Sequence, residues 1–72
     1  MSERIELDVR WLEPPEPFER VVGALDALPQ GATLRVLIHR LPRPLFQWLE
    51  REGWRYSHAF DAEGFFEILI RR

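Results

Sequence analysis

Leu12–Arg20, LEPPEPFER, packs Pro14, Pro15 and Pro17 into four residues between a short alternating run and an apolar helical pattern. The first backbone N–H groups of a helix have no intrahelical partner, so proline there gives up little, and its fixed φ already suits the helix. With Pro14 near the N-cap, Pro15 falls at the first helical position and Pro17 in the same turn. Glu13, Glu16 and Glu19 then surround the positive end of the helix dipole, where carboxylates are favourable. The stretch therefore marks the entry of a helix that directly follows a strand.

Outward from this turn the chain alternates periods. Upstream, Ile5, Leu7 and Val9 alternate with Glu6, Asp8 and Arg10, a half-buried strand. Downstream, Phe18, Val21, Val22, Leu25 and Leu28 recur at helical spacing until Pro29-Gln30-Gly31 stops them. Thr33–Ile38, TLRVLI, is β-branched and apolar on both faces, which suits a central strand. Pro42-Arg43-Pro44 opens a second helix with Leu45, Trp48 and Leu49 on one stripe and Gly53 as its C-terminal cap. Trp54, Tyr56, His58 and Phe60 alternate as a third strand. Asp61-Ala62-Glu63-Gly64 reads as a hairpin turn, and Phe66, Ile68 and Ile70 as a fourth strand.

The order β-α-β-α-β-β predicts an α+β two-layer sandwich: a four-stranded mixed sheet with both helices on one face and the other face open. Each strand–helix–strand unit is expected to connect parallel strands, and the hairpin adds an antiparallel one. Seventy-two residues make one domain, 1–72, which buries only about 60% of its unfolded surface.

Composition narrows the function classes. A net charge of −2 and the lack of a basic stripe argue against nucleic-acid binding. No apolar run approaches the ~20 residues a bilayer needs, and Ser2-Glu3-Arg4 does not open a signal peptide, so a cytoplasmic location without membrane association is the expectation. There is no cysteine, which removes disulfides, thiolate nucleophiles and thiolate metal sites. All ten basic residues are arginine; this fits either anion recognition or plain compositional bias.

Leu7–Pro17, LDVRWLEPPEP, resembles the signature of the TusA-like (SirA-like) small sulfur carriers, in which a strand ending Leu-Asp runs through Gly-Leu into Cys-Pro-x-Pro at a helix start. It is more similar still to domain-of-unknown-function family 2249, a sister group with a proline-rich version. The likeness extends through GATLRVLI (31–38), PRPLFQWLE (42–50) and the closing hairpin, nearly the whole chain, and implies the same β-α-β-α-β-β fold. By this resemblance Pro14 stands where the carriers keep their persulfide-bearing cysteine, which excludes persulfide relay. Trp11 stands where they usually have glycine. The sister group often has His-Asp just before its Pro-basic-Pro-Leu segment; here those positions are Arg40-Leu41, with His39 one residue earlier.

Open α/β sheets bind ligands where parallel strands end and helices begin. That edge should gather Arg10, Trp11, Glu13, Pro14, Pro15, Glu16, His39, Arg40 and Arg43, and bring the Asp61–Gly64 turn nearby. One reading is a small-anion or peptide site built by Arg10, Arg40 and Arg43 at the helix N-termini; the other is solvated loop arginines paired with Glu13 and Glu16. His39 and His58 lack a spacing that would make them metal ligands with Asp61 or Glu63, so no metal or cofactor is expected. Ser57 and Thr33 lack a base partner, so hydrolase chemistry has no support.

The open sheet face is expected to carry an apolar centre, Leu37 with Phe65 or Leu69, rimmed by Arg35, Arg55 and Arg71. This composition suits a protein interface, a homodimer included. The functional expectation is a non-enzymatic module that binds a partner protein or small anionic ligand. The alternative is an accessory of sulfur or redox metabolism that contacts the partners of sulfur carriers without carrying sulfur.

Overall fold

The computed structural model describes residues 3–72; Ser2, in the Ser2-Glu3-Arg4 opening, lies outside the described residues. The elements are β1 (Arg4–Asp8), α1 (Glu16–Asp26), β2 (Thr33–Ile38), α2 (Arg43–Arg51), β3 (Arg55–Phe60) and β4 (Phe66–Arg71), in the expected order. They form one four-stranded sheet ordered β1-β2-β4-β3. β1 and β2 pair in parallel, Ile5 opposite Leu34 and Leu7 opposite Val36. β4 is antiparallel to both of its neighbours. β2 and β3 therefore run the same way, but β4 lies between them, so the second crossover spans a strand.

Alternation sorts the sheet into two faces. Leu34, Val36, Ile38, Ile68 and Ile70 are buried against Val21 and Leu25 of α1 and Leu45 and Leu49 of α2. Phe18 of α1 meets Trp48 of α2 with ring centroids 6.2 Å apart, which places the helices side by side on this one face.

The helix ends differ from expectation by small, explicable steps. α1 opens one residue late: Pro15 is the N-cap, Glu16 comes first and Pro17 second. The Pro14–Pro15 peptide is cis. α1 also closes at Asp26, so Leu28, read as the last member of the helical stripe, lies beyond it. A proline disfavours helical geometry in the residue before it, which here is Leu28 ahead of Pro29. Leu28 still packs against the core.

α2 ends as its glycine predicts. Gly53 has φ +81, its N–H bonds Glu50 O at 3.3 Å, and the Trp54 N–H reaches Leu49 O at 2.9 Å. This pair of bonds is a Schellman cap, which aims buried Trp54 back at the core. The β3–β4 turn closes with Asp61 N–H to Phe65 O at 2.7 Å, Glu63 N–H to Asp61 Oδ1 at 2.7 Å, and Gly64 at φ +95.

The open face departs from the expected apolar centre. Arg35 of β2 bridges to an acid on each neighbouring strand, donating to Glu67 Oε2 of β4 at 2.5 Å and to Glu6 of β1. Leu37 and Leu69 flank it half-buried. Phe65 is only 8% exposed, because the Arg10 guanidinium sits 4.6 Å above its ring. Arg55 and Arg71 are exposed and opposite one another at the end of β3 and β4. The face is thus a three-strand charge bridge with leucines beside it.

Candidate functional site

Both helices start with the same device. Pro15-Glu16-Pro17 and Pro42-Arg43-Pro44 each place proline at the N-cap and at the second helical position. Proline has no N–H. The one N–H between each pair is already used, Glu16 to Glu13 O at 2.9 Å and Arg43 to Leu41 O at 3.1 Å. Among the described residues this leaves, in each first turn, a single N–H, that of Phe18 or Leu45, without a backbone partner. Helix N-termini that hold anions do so with several convergent N–H groups, and these two have been largely stripped of them. An anionic group at this edge has to rely on side chains.

The two proline turns face each other across a groove of about 870 Å³. Its floor comes from Val9, Ile38 and Leu45, at the ends of the parallel strands and the start of α2. One wall is Leu12, Pro14, Pro15, Pro17 and Phe18; the other is Leu41, Pro42 and Pro44. Trp11 and His39 close one side with an edge-to-face contact, centroids 5.0 Å apart and planes at 83°. Trp11 is 80% exposed, an unusual expense of apolar surface for so small a domain.

Of the residues expected at this edge, Trp11, Glu13, Pro14, Pro15, His39 and Arg40 line the groove together. Glu16 and Arg43 do not line it; each occupies the first position of its helix and is exposed. Arg10 turns away. It grips Asp8 in two side-chain bonds, at 2.9 and 2.7 Å, and lies over Phe65. Those bonds, with the Arg10 backbone N–H donating to the same carboxylate, hold Asp8 below its ordinary pKa range, and His39 adds a weaker attraction. Asp61 and Glu63 add to the field that keeps Arg10 protonated, so the hairpin turn does approach this edge, on the Arg10 side.

Glu13 and Glu16 pair with none of these arginines. Among the described residues the ion pairs are Arg10–Asp8, Arg35–Glu6 and Arg35–Glu67, which leaves Arg40 and Arg43 without an acidic partner. Sequence reading missed the apolar part of the site: Leu12, Pro17, Phe18, Leu41, Pro42 and Pro44. The repeated Pro-x-Pro was the available signal. Two identical helix entries at the ends of adjacent parallel strands must lie side by side. Among the described residues no group of three His, Asp or Glu side chains is placed to hold a metal ion, and no helix is long and apolar enough to cross a membrane.

The fold has a counterpart among solved structures. The SirA-like protein from Desulfitobacterium hafniense superposes with a TM-score of 0.80 over 92% of this chain and 93% of its own, at 23% identity. At that identity the likeness concerns the fold. No curated protein matches the sequence. The family model for "Uncharacterized conserved protein (DUF2249)" matches residues 6–72, from the first strand through the proline turn to the closing hairpin. This chain therefore belongs to the DUF2249 family.

Proposed function

We propose that this chain is a binding module without catalysis of its own, and that the groove between the proline turns takes an apolar ligand carrying an anionic group. The observation that carries the reading is the pairing of an 80%-exposed Trp11 with an unpartnered Arg40 on the rim of an apolar, proline-walled groove. Ligand sites are mostly apolar concavities with a few placed polar groups, which is the composition here. Rigid prolines lower the entropy lost when such walls close on a ligand. The stripped helix N-termini leave Arg40 as the group able to answer the anion. The chain has no cysteine, so its turn cannot carry sulfur as a persulfide.

The test uses 8-anilinonaphthalene-1-sulfonate, an aromatic probe with one sulfonate, beside the uncharged N-phenyl-1-naphthylamine. The sulfonate should bind saturably with rising fluorescence. Arg40→Ala should weaken it about fivefold, a change of about 1 kcal/mol, while leaving the neutral probe unaffected. Trp11→Ala should weaken both. Equal affinity of wild type and both variants for either probe would refute the site.

A further inference from the structure

The sheet has two free edges, and they are built differently. β1, five residues long, carries three charges, Arg4, Glu6 and Asp8. β3, six residues long, carries one, Arg55, and has no proline, glycine or lysine. Charges, prolines and bulges are the usual protection of an edge strand against pairing with another chain; β3 has no proline and a single charge, at its first residue. Its last residue, Phe60, is 66% exposed.

The hydrogen-bond pattern defines what this edge offers. Asp61 and Phe65 form a bonded pair through Asp61 N–H to Phe65 O. By alternation along the hairpin register, Arg55, Ser57 and Ala59 direct their backbone groups at β4. Tyr56, His58 and Phe60 therefore direct theirs outward. The same three side chains lie on the helix side, where Phe46 stacks on Tyr56 and His58 with centroids 4.8 and 5.2 Å apart. Phe60 rests edge-on against Phe66 at 5.0 Å.

We propose that β3 pairs antiparallel with β3 of a second copy of this chain, about a two-fold axis through His58, so that two four-stranded sheets become one. The edge is complementary to itself in this register. Arg55 comes opposite the partner's Asp61, Tyr56 opposite the partner's Phe60, and Ser57 opposite the partner's Ala59. The charge pair falls on the open face at both ends, the aromatic pairs on the helix side, and the small residues in between. The outward-bonding residues meet one another, as an antiparallel ladder requires. Moving the axis to Ser57 sets Arg55 against the partner's Ala59; moving it to Ala59 sets Arg55 against the partner's Glu63, which lies in the hairpin turn beyond the closing Asp61–Phe65 bond. Charge complementarity within the bonded length of the hairpin thus selects His58 as the axis.

Light scattering on size-exclusion fractions, from about 10 μM to 1 mM, should show a rise from monomer to dimer mass. His58→Pro removes an outward N–H and no β4 bond, a substitution edge strands tolerate; it should stay monomeric at every concentration with an unchanged far-ultraviolet spectrum. Because the chain has no cysteine, single introduced thiols report the register. Under oxidised glutathione, His58→Cys should form a covalent dimer at least tenfold faster than Ser57→Cys, Ala59→Cys or Arg55→Cys. A wild type that remains monomeric at 1 mM overturns the proposal, as does a dimer unaffected by His58→Pro. Fastest cross-linking at Ser57 or Ala59 overturns the register.

Discussion

Trp11 and His39 meet edge to face, ring centroids 5.0 Å apart, and so tie the β1–α1 turn to the β2–α2 loop across one end of the groove. The two residues come from different crossovers, 28 positions apart in the chain. The parallel pairing of β1 and β2 sets the two proline turns side by side, and this contact closes the groove between them at one end.

Because Trp11 is mostly exposed, its loss should cost little folding free energy. In urea unfolding, Trp11→Ala should change the free energy of unfolding by less than about 0.5 kcal/mol, the usual range for surface substitutions. A much larger loss would assign Trp11 to the core and remove it from the ligand site.

Leu45 sits at the opposite extreme. It is fully buried at the base of the groove, where α2 begins. Leu45→Ala should cost about 2–5 kcal/mol from a total on the order of 5–10 kcal/mol for a chain of this length. Denaturant unfolding should show a midpoint lowered by about half, with an unchanged slope; a loss under 1 kcal/mol would contradict the packing described.

Gly53 occupies the left-handed position of the Schellman cap, with nothing within 4 Å of where a Cβ would stand. The cost of Gly53→Ala is then purely conformational, about 1–2 kcal/mol. Thermal unfolding should detect it, and Gly53→Asn should recover part of the loss, since asparagine tolerates this conformation better.

Two pairs contribute to the pH dependence of stability in opposite directions. The Asp8 carboxyl is depressed by Arg10, so its contribution is present above the unfolded carboxyl value of about 4 and is lost as pH falls through the lower folded value. Tyr56 is raised, first by its 2.5 Å hydrogen bond to Glu50 and then by burial. Its contribution is present below the unfolded phenol value of about 10 and is lost as pH rises through the higher folded value. Asp8→Asn should flatten the acid limb of a stability–pH curve and Tyr56→Phe the alkaline limb. If each variant parallels wild type through its own limb, the linkage is wrong.

Much of this protein could be read from local pattern. The periods of two and 3.6, the prolines at helix entries, Gly53 and the Asp61–Gly64 turn each act within a few residues, and each element came out in its expected place and order. The small misplacements at Pro15 and Leu28 are of the same local kind: which residue of a proline cluster serves as cap depends on how the chain leaves the preceding strand.

What local pattern could not supply was the company each side chain keeps. Arg10 lies one residue before Trp11, yet it turns to Asp8 and Phe65 while Trp11 turns to His39, because the chain bends between strand end and helix entry. Arg35 was expected on the rim of an apolar face; the strand order β1-β2-β4-β3 instead gives it an acid on each side, Glu6 and Glu67. Likewise the apolar walls of the groove exist because two Pro-x-Pro turns, 27 positions apart, are brought together by the parallel pairing of β1 and β2. Elements arise from short-range sterics and periodicity; sites arise from pairings between distant segments, and those depend on how the whole sheet closes its core.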